Sequence, residues 1–172
     1  MTRHVQPGQR PAPQPGAVPF RDAMARIASA VHLVTTLGPQ GPIGLTATAF
    51  ASVSDTPPTV LVCLERSSRT LAAIEAAGVF GISTLPADAQ DLAEIFAGRK
   101  GIDGDARFAS ESWISLTTGV PLLQRAVAAF DCRLVAAHDI ASHRVLIGEV
   151  AALHSGQDAS GLIYRHRRFE SV

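Results

Sequence analysis

The sequence predicts a mostly β fold, a closed antiparallel barrel with helices at its ends. Two observations carry that expectation. Strand-like runs of β-branched or alternating apolar residues recur along the chain, separated by Gly- and Pro-rich turns. The elements run helix, hairpin, strand, helix, strand, helix and then strands, which is not the strict alternation a parallel sheet requires. At 172 residues, 47% of them apolar, the chain suits one domain with a substantial core.

Residues 1–19 hold five prolines among Gln, Gly and Arg, and read as a flexible arm ahead of one domain over 20–172. Phe20, Met24, Ile27 and Val31 recur at helical spacing with Arg21, Asp22 and Arg26 turned outward, so a helix is expected over 20–30. Residues 31–36 switch to a β-branched strand, and a Gly-Pro turn over 38–42 joins it to a hairpin partner over 43–54. In that partner Ile43, Leu45, Ala47, Ala49 and Ala51 share one face, while Thr46, Thr48, Phe50 and Ser52 share the other. Pro57 and Pro58 end it, because neither can donate to a ladder.

Residues 59–64 read as a buried strand. Ser67 offers an N-cap for a helix over 70–77, and Gly78 its C-terminal stop. A short strand over 79–85 leads to Asp88, a cap for a helix over 89–97 with Leu92, Ile95 and Phe96 as its apolar stripe. Residues 98–106 are a mixed-charge loop. A strand is expected over 126–137, where Ala128, Phe130, Cys132 and Leu134 alternate against Asp131 and Arg133. A further strand over 143–153 and an apolar-aromatic segment over 162–169 complete the chain.

Charged residues make up only 17%, a composition that suits a surface partly covered by a partner subunit. Lys plus Arg equals Asp plus Glu at 15 each, and without a basic stripe nucleic acid is not an expected partner. Cys63 and Cys132 lie far apart in no metal-type pair, so free buried thiols in a reducing cytoplasm are expected. No apolar run reaches the roughly 18 residues of a membrane helix, so no membrane span is expected.

Familiar catalytic motifs are missing. There is no strand-following G-x-G-x-x-G, no Walker sequence, no G-x-S-x-G elbow and no H-E-x-x-H. Histidines 4, 32, 138, 143, 154 and 166 have no ligand-like spacing, so no metal site is expected. Ser67-Ser68-Arg69-Thr70 gathers hydroxyls, backbone N–H groups and a guanidinium at a helix start, the donor set a phosphate dianion takes. Simple capping by Ser67, with Arg69 solvated, is the commoner use of such a set. Thr46-Ala47-Thr48-Ala49 and Ser52-Val53-Ser54 have side chains small enough for a ring to lie against the backbone, though an Ala-rich barrel strand reads the same way. His143 is either a contact to a second ligand or a strand histidine at a barrel mouth. Cys63 and Cys132 read as core fillers, and Arg165, His166, Arg167 and Arg168 as a solvated end.

Several motifs then stand in order: F-R-x-A-M-x-R at 20–26, V-x-x-V-T-T at 31–36, and G-L-T-A-T-A-F-A-S-V-S-x-x-P-P at 44–58. L-V-C-L at 61–64, S-x-x-T at 67–70, F-x-I-S-x-L at 80–85, L-A-x-x-F-A-G at 92–98 and G-E-V at 148–150 follow. The chain resembles the short-chain flavin reductase family, the reductase components of two-component flavin-dependent monooxygenases. The resemblance implies an FMN-binding split β-barrel, a Greek-key antiparallel barrel with flanking helices, assembled as a homodimer with flavin near the subunit interface. It also implies an NAD(P)H:flavin oxidoreductase, passing hydride from NADH or NADPH to FMN or FAD and supplying reduced flavin to a partner monooxygenase.

Carried over from the family, Thr46, Ala47, Thr48, Ala49 and Phe50 line the isoalloxazine, and Ser52, Ser54, Ser67, Ser68 and Thr70 serve the ribityl chain and phosphate. Cys63 and Leu64 lie along the cofactor's wall, with Ser83 near the adenylate end of FAD. The family often has Gly-Asp-His ahead of its Gly-Glu-Val strand. Here the run is Ala141-Ser142-His143, and His143 is the implied catalytic residue beside the nicotinamide. Two alternatives share the fold: a flavoprotein that keeps its flavin and reduces a cobalt corrinoid or ferric chelate, and a flavin-binding module without reductase activity.

Overall fold

The computed structural model describes residues 14–156 and 160–172; residues 1–13 of the expected arm lie outside them. The chain runs α1 (Ala17–Met24), β1 (Ser29–Ala30), β2 (His32–Gly38), β3 (Gly41–Ala47), β4 (Phe50–Asp55), β5 (Pro58–Glu65) and α2 (Arg69–Ala77). It continues through β6 (Val79–Thr84), α3 (Gln90–Phe96), a short 3-10 turn (Gly104–Phe108), β7 (Trp113–Ile114) and β8 (Leu122–Leu123). Two long strands, β9 (Ala128–Ile140) and β10 (His143–Ser155), precede the hairpin of β11 (Leu162–Arg165) and β12 (Arg168–Ser171). No helix among the described residues is long and apolar enough to cross a membrane.

Seven strands form one antiparallel sheet in the order β3-β2-β6-β9-β10-β5-β4. It does not close: β3 and β4, consecutive in the chain, are its two edges, so the barrel is split between them. The sequence pattern predicts one continuous strand over 43–54. The chain instead leaves β3 after Ala47, crosses through Thr48 and Ala49, and starts β4 against β5 at the far edge. A tight turn makes the crossing, with the Phe50 N–H donating to the Thr48 carbonyl at 3.2 Å. The apolar alternation continues through the break, and Ala and Thr carry no mark of it.

Both faces of the central strands are covered. Along β2, Leu33 belongs to one core with Phe96, Leu122 and Leu162, whereas its neighbour Val34 belongs to the other with Val62, Phe80 and Leu146. Leu71 and Ile74 of α2 fill the second core. Burial on both faces explains the V-T-T motif: Thr35 and Thr36 are fully buried and donate to the carbonyls of Pro121 at 2.5 Å and Val79 at 2.7 Å. Gly148 of the G-E-V motif lies where β10 crosses Phe80, and a Cβ there would strike that ring and meet the Cys132 Cβ at 3.1 Å.

Four local expectations change. Ser68, not Ser67, caps α2, its Oγ accepting from the Leu71 N–H at 3.4 Å, while Gly78 at φ 70° ends the helix as expected. Asp88 does not cap α3; it reaches Arg125 Nη1 at 2.5 Å, and a charged partner draws it off the helix end. The first helix starts at Ala17 and stops at Met24, and its Phe20 and Met24 stay about half exposed. Asp131, expected on the polar face of β9, is fully buried and accepts from the Thr118 N–H at 2.8 Å and from the Thr118 hydroxyl, fastening the loop before β8 to the sheet.

That clasp sets a stability expectation. Asp131→Ala leaves the Thr118 donors unpaired over a cavity and should cost about 2–3 kcal/mol in urea unfolding.

Candidate functional site

Strand β5 gathers the site. Its register with β4 places Phe50 opposite Val62, and one step on the Ala49 carbonyl accepts the Cys63 N–H at 3.0 Å. On its other side β10 places Val145 opposite Cys63 and His143 opposite Glu65. Beyond Glu65 the chain turns through Arg66 and Ser67 into the capped start of α2. Residues from the crossing, from β5, from the β9–β10 turn and from a helix N-terminus therefore follow one another along a single strand.

The side chains at the crossing suit a flat ring. Thr48 and Ala49 are exposed and small, and Cys63 beside them is half-buried. The helix start suits an anion. Exposed Ser67 precedes its first turn, and the Arg69 side chain is 83% exposed, held only loosely by Asp103 at 3.9 Å. Ser68 Oγ is committed to its cap, so at this end the backbone, Ser67 and Arg69 are the available donors. The residues present thus fit a flavin with a terminal phosphate.

Other implied residues make contacts within the fold. Thr46 Oγ1 donates to the Ala93 carbonyl at 2.7 Å and ties β3 to α3. Ala47 packs against the second core, and Leu64 at 2% exposure belongs to it. Thr70 is buried on α2. Ser83 has no exposed surface and its Oγ accepts from the Leu123 N–H at 3.0 Å.

Thr48, Phe50, Ser52 and Ser54 come together elsewhere, along a cleft of about 680 Å³ whose walls include Ala28–Ala30, Phe130, Val150 and Leu153. Against that cleft stands a residue that spacing did not single out, His32. Its ring lies 4.6 Å from that of Phe50, and Nδ1 is 3.1 Å from Thr84 Oγ1. Burial pushes its pKa down to about 4, so the imidazole is neutral at pH 7. The only sequence signal is a histidine inside an otherwise apolar strand start.

His143 lies outside that cleft, exposed at the tip of the β9–β10 turn with Nδ1 2.9 Å from Ser142 Oγ. The turn is fastened next to the helix start: the Arg66 N–H donates to the Ser142 carbonyl at 3.0 Å, and the Arg66 guanidinium lies 3.5 Å from Asp139. Ala141 occupies the position where the family often has glycine, at φ 52°, which favours glycine. Cys132 is a core thiol whose pKa burial pushes up to about 12, helped by neighbouring Asp131. The described residues contain no cluster of three or more His, Cys, Asp or Glu suited to a metal.

Two measurements check these placements. Relieving the left-handed strain, Ala141→Gly should stabilise the fold by about 1 kcal/mol in urea unfolding. For His32 the folded pKa is lowered, so the unfolded chain binds the extra proton first; the stabilisation is present above pH 6.5 and lost as pH falls towards 4. The His32 contribution should fall by about 2 kcal/mol between about pH 7 and pH 5, and His32→Phe should remove that slope.

Comparison with known proteins identifies the family. Residues 24–172 match the flavin reductase like domain. The chain is 45% identical over 165 residues to a protein of Ancylobacter novellus named FMN reductase (NADH) RutF, spanning 96% of this chain and 90% of that one. Among solved structures, BorF, the flavin reductase component of a bacterial two-component tryptophan halogenase, superimposes with a TM-score of 0.84 at 30% identity, over 91% of this chain and 98% of that one. The NADH:FAD oxidoreductase of Streptomyces globisporus, solved with NAD and FAD fragments, superimposes with a TM-score of 0.80 at 28% identity, over 89% and 90% of the two chains. This chain belongs to the flavin reductase-like family.

Proposed function

We propose that this protein is an NADH-dependent FMN reductase that works as a cytoplasmic homodimer and supplies reduced flavin to a separate monooxygenase. The observation that carries the reading is the convergence along β5 of an exposed, small-residue crossing and an anion-suited helix start. The names of the similar proteins, FMN reductase (NADH) and the reductase component of a two-component system, support the choice of FMN, NADH and a partner enzyme.

FMN bound here would supply the hydride acceptor to the dihydronicotinamide of NADH, chemistry that asks little acid–base help of the protein. The chain's own contribution is placement. Thr48 and Ala49 leave backbone open to a ring, with Cys63 as its neighbour across the ladder. Ser67, Arg69 and the first N–H groups of α2 would hold the phosphate. His143, in the turn that the Arg66–Ser142 backbone bond fastens beside that helix, would serve as a positioning group for a second nucleotide.

Purified protein should oxidise NADH on addition of FMN. Absence of turnover with FMN and with FAD would overturn the reading. Ala49→Phe fills the exposed crossing while leaving both cores untouched, and should weaken FMN binding at least about tenfold, roughly 1.4 kcal/mol, by fluorescence titration.

A further inference from the structure

We propose that Asp139 is a positioning residue for nicotinamide binding: its carboxylate, shared between Arg66 and Arg144, holds in place the β9–β10 turn that carries His143. The inference rests on the NADH reading above and adds to it a residue that touches neither nucleotide.

The contacts converge on that carboxylate. Register along β10 sets Arg144 opposite Asp139, one rung from the His143–Ile140 pair at the turn. One Asp139 oxygen lies 3.5 Å from Arg144 Nη1 and the other 3.5 Å from Arg66 Nη2. Arg144 continues to α2, its Nε 2.9 Å from Glu75 Oε1. The charges therefore alternate, Arg66, Asp139, Arg144 and Glu75, and they come from the link before α2, from β9, from β10 and from α2 itself. Arg66 also reaches the turn directly. Its backbone N–H donates to the Ser142 carbonyl at 3.0 Å and its Nη1 to the Ala141 carbonyl at 3.5 Å.

Little else holds this tip. Residues 138–143 are all exposed, so apolar burial contributes little to their placement. Ala141 at φ 52° lacks the glycine that would make the turn locally favourable. Isolated surface ion pairs contribute little, whereas a carboxylate shared by two guanidiniums in a network contributes more. Among the described residues Asp139 is the one acid paired with both arginines. Without its charge Arg144 keeps only Glu75, Arg66 keeps only backbone carbonyls, and the two strand ends lose their common anchor.

The anion end of α2 stands outside this network: Arg69 pairs with Asp103, and Ser68 is committed to its cap. A change at Asp139 thus acts through the placement of His143 and leaves FMN binding as it was.

Steady-state NADH oxidation at saturating FMN tests the assignment on wild type, Asp139→Asn and Asp139→Glu. Asp139→Asn keeps the shape and removes the charge; it should raise KM for NADH about fivefold with kcat within about twofold. Asp139→Glu keeps the charge and should restore most of that loss. FMN affinity by fluorescence titration should be the same in all three. Amide hydrogen exchange at residues 140–143, read without NADH, should quicken about fivefold in Asp139→Asn while circular dichroism stays unchanged. An unchanged KM for NADH, unchanged exchange at the turn, or a parallel loss of FMN affinity overturns the role of Asp139 and leaves the reductase standing. A wild type that oxidises no NADH with FMN overturns the reductase reading itself.

Discussion

One backbone hydrogen bond organises the molecule, that between the Cys63 N–H and the Ala49 carbonyl. It is the first rung after the chain has crossed from one edge of the sheet to the other. A slip of one residue would turn the whole of β4 over, taking Phe50 away from His32 and Phe130. The same rung holds the exposed Thr48-Ala49 pair against β5, whose far end leads into α2. Opening of the barrel and assembly of the site are thus a single geometric event.

Burial on both faces sets the second constraint. Hydroxyls inside the sheet cannot be left to water, and each has a defined duty: Thr35, Thr36, Thr46 and Ser83 bond backbone from neighbouring segments. Such residues look like ligand donors when only the letters are visible. Their hydroxyls tie loops and helices to strands, whereas Thr48 and Ser67 stand exposed.

Much of the fold was legible because strand alternation and turn chemistry are local. The β2–β3 hairpin, the proline end of β4, β5, β6 and the two long strands all stand where those patterns place them. The break at Thr48-Ala49 was not, since two edge strands with the same alternation read as one. Ser67 and Ser68 are equivalent as caps on paper, and only the backbone decides between them. Asp131 and His32 escaped because their roles depend on partners far off in sequence, Thr118 and Thr84. The small-residue run and the Ser-Ser-Arg helix start were legible as separate features; their meeting along β5 needed the register.

The sheet order has a consequence for how the chain is made. Hairpins β2–β3 and β4–β5 can form as soon as they leave the ribosome. The inner edge of β5, however, waits for β10, with Leu64 opposite Arg144. Until that late strand is synthesised, an apolar edge rich in Val and Leu stands unpaired, and pairing must then span half the chain. Non-local closure of this kind is slow and leaves the nascent chain open to association with its neighbours. The arrangement that leaves the barrel split between β3 and β4 thus also makes completion of the sheet depend on the last third of the polypeptide.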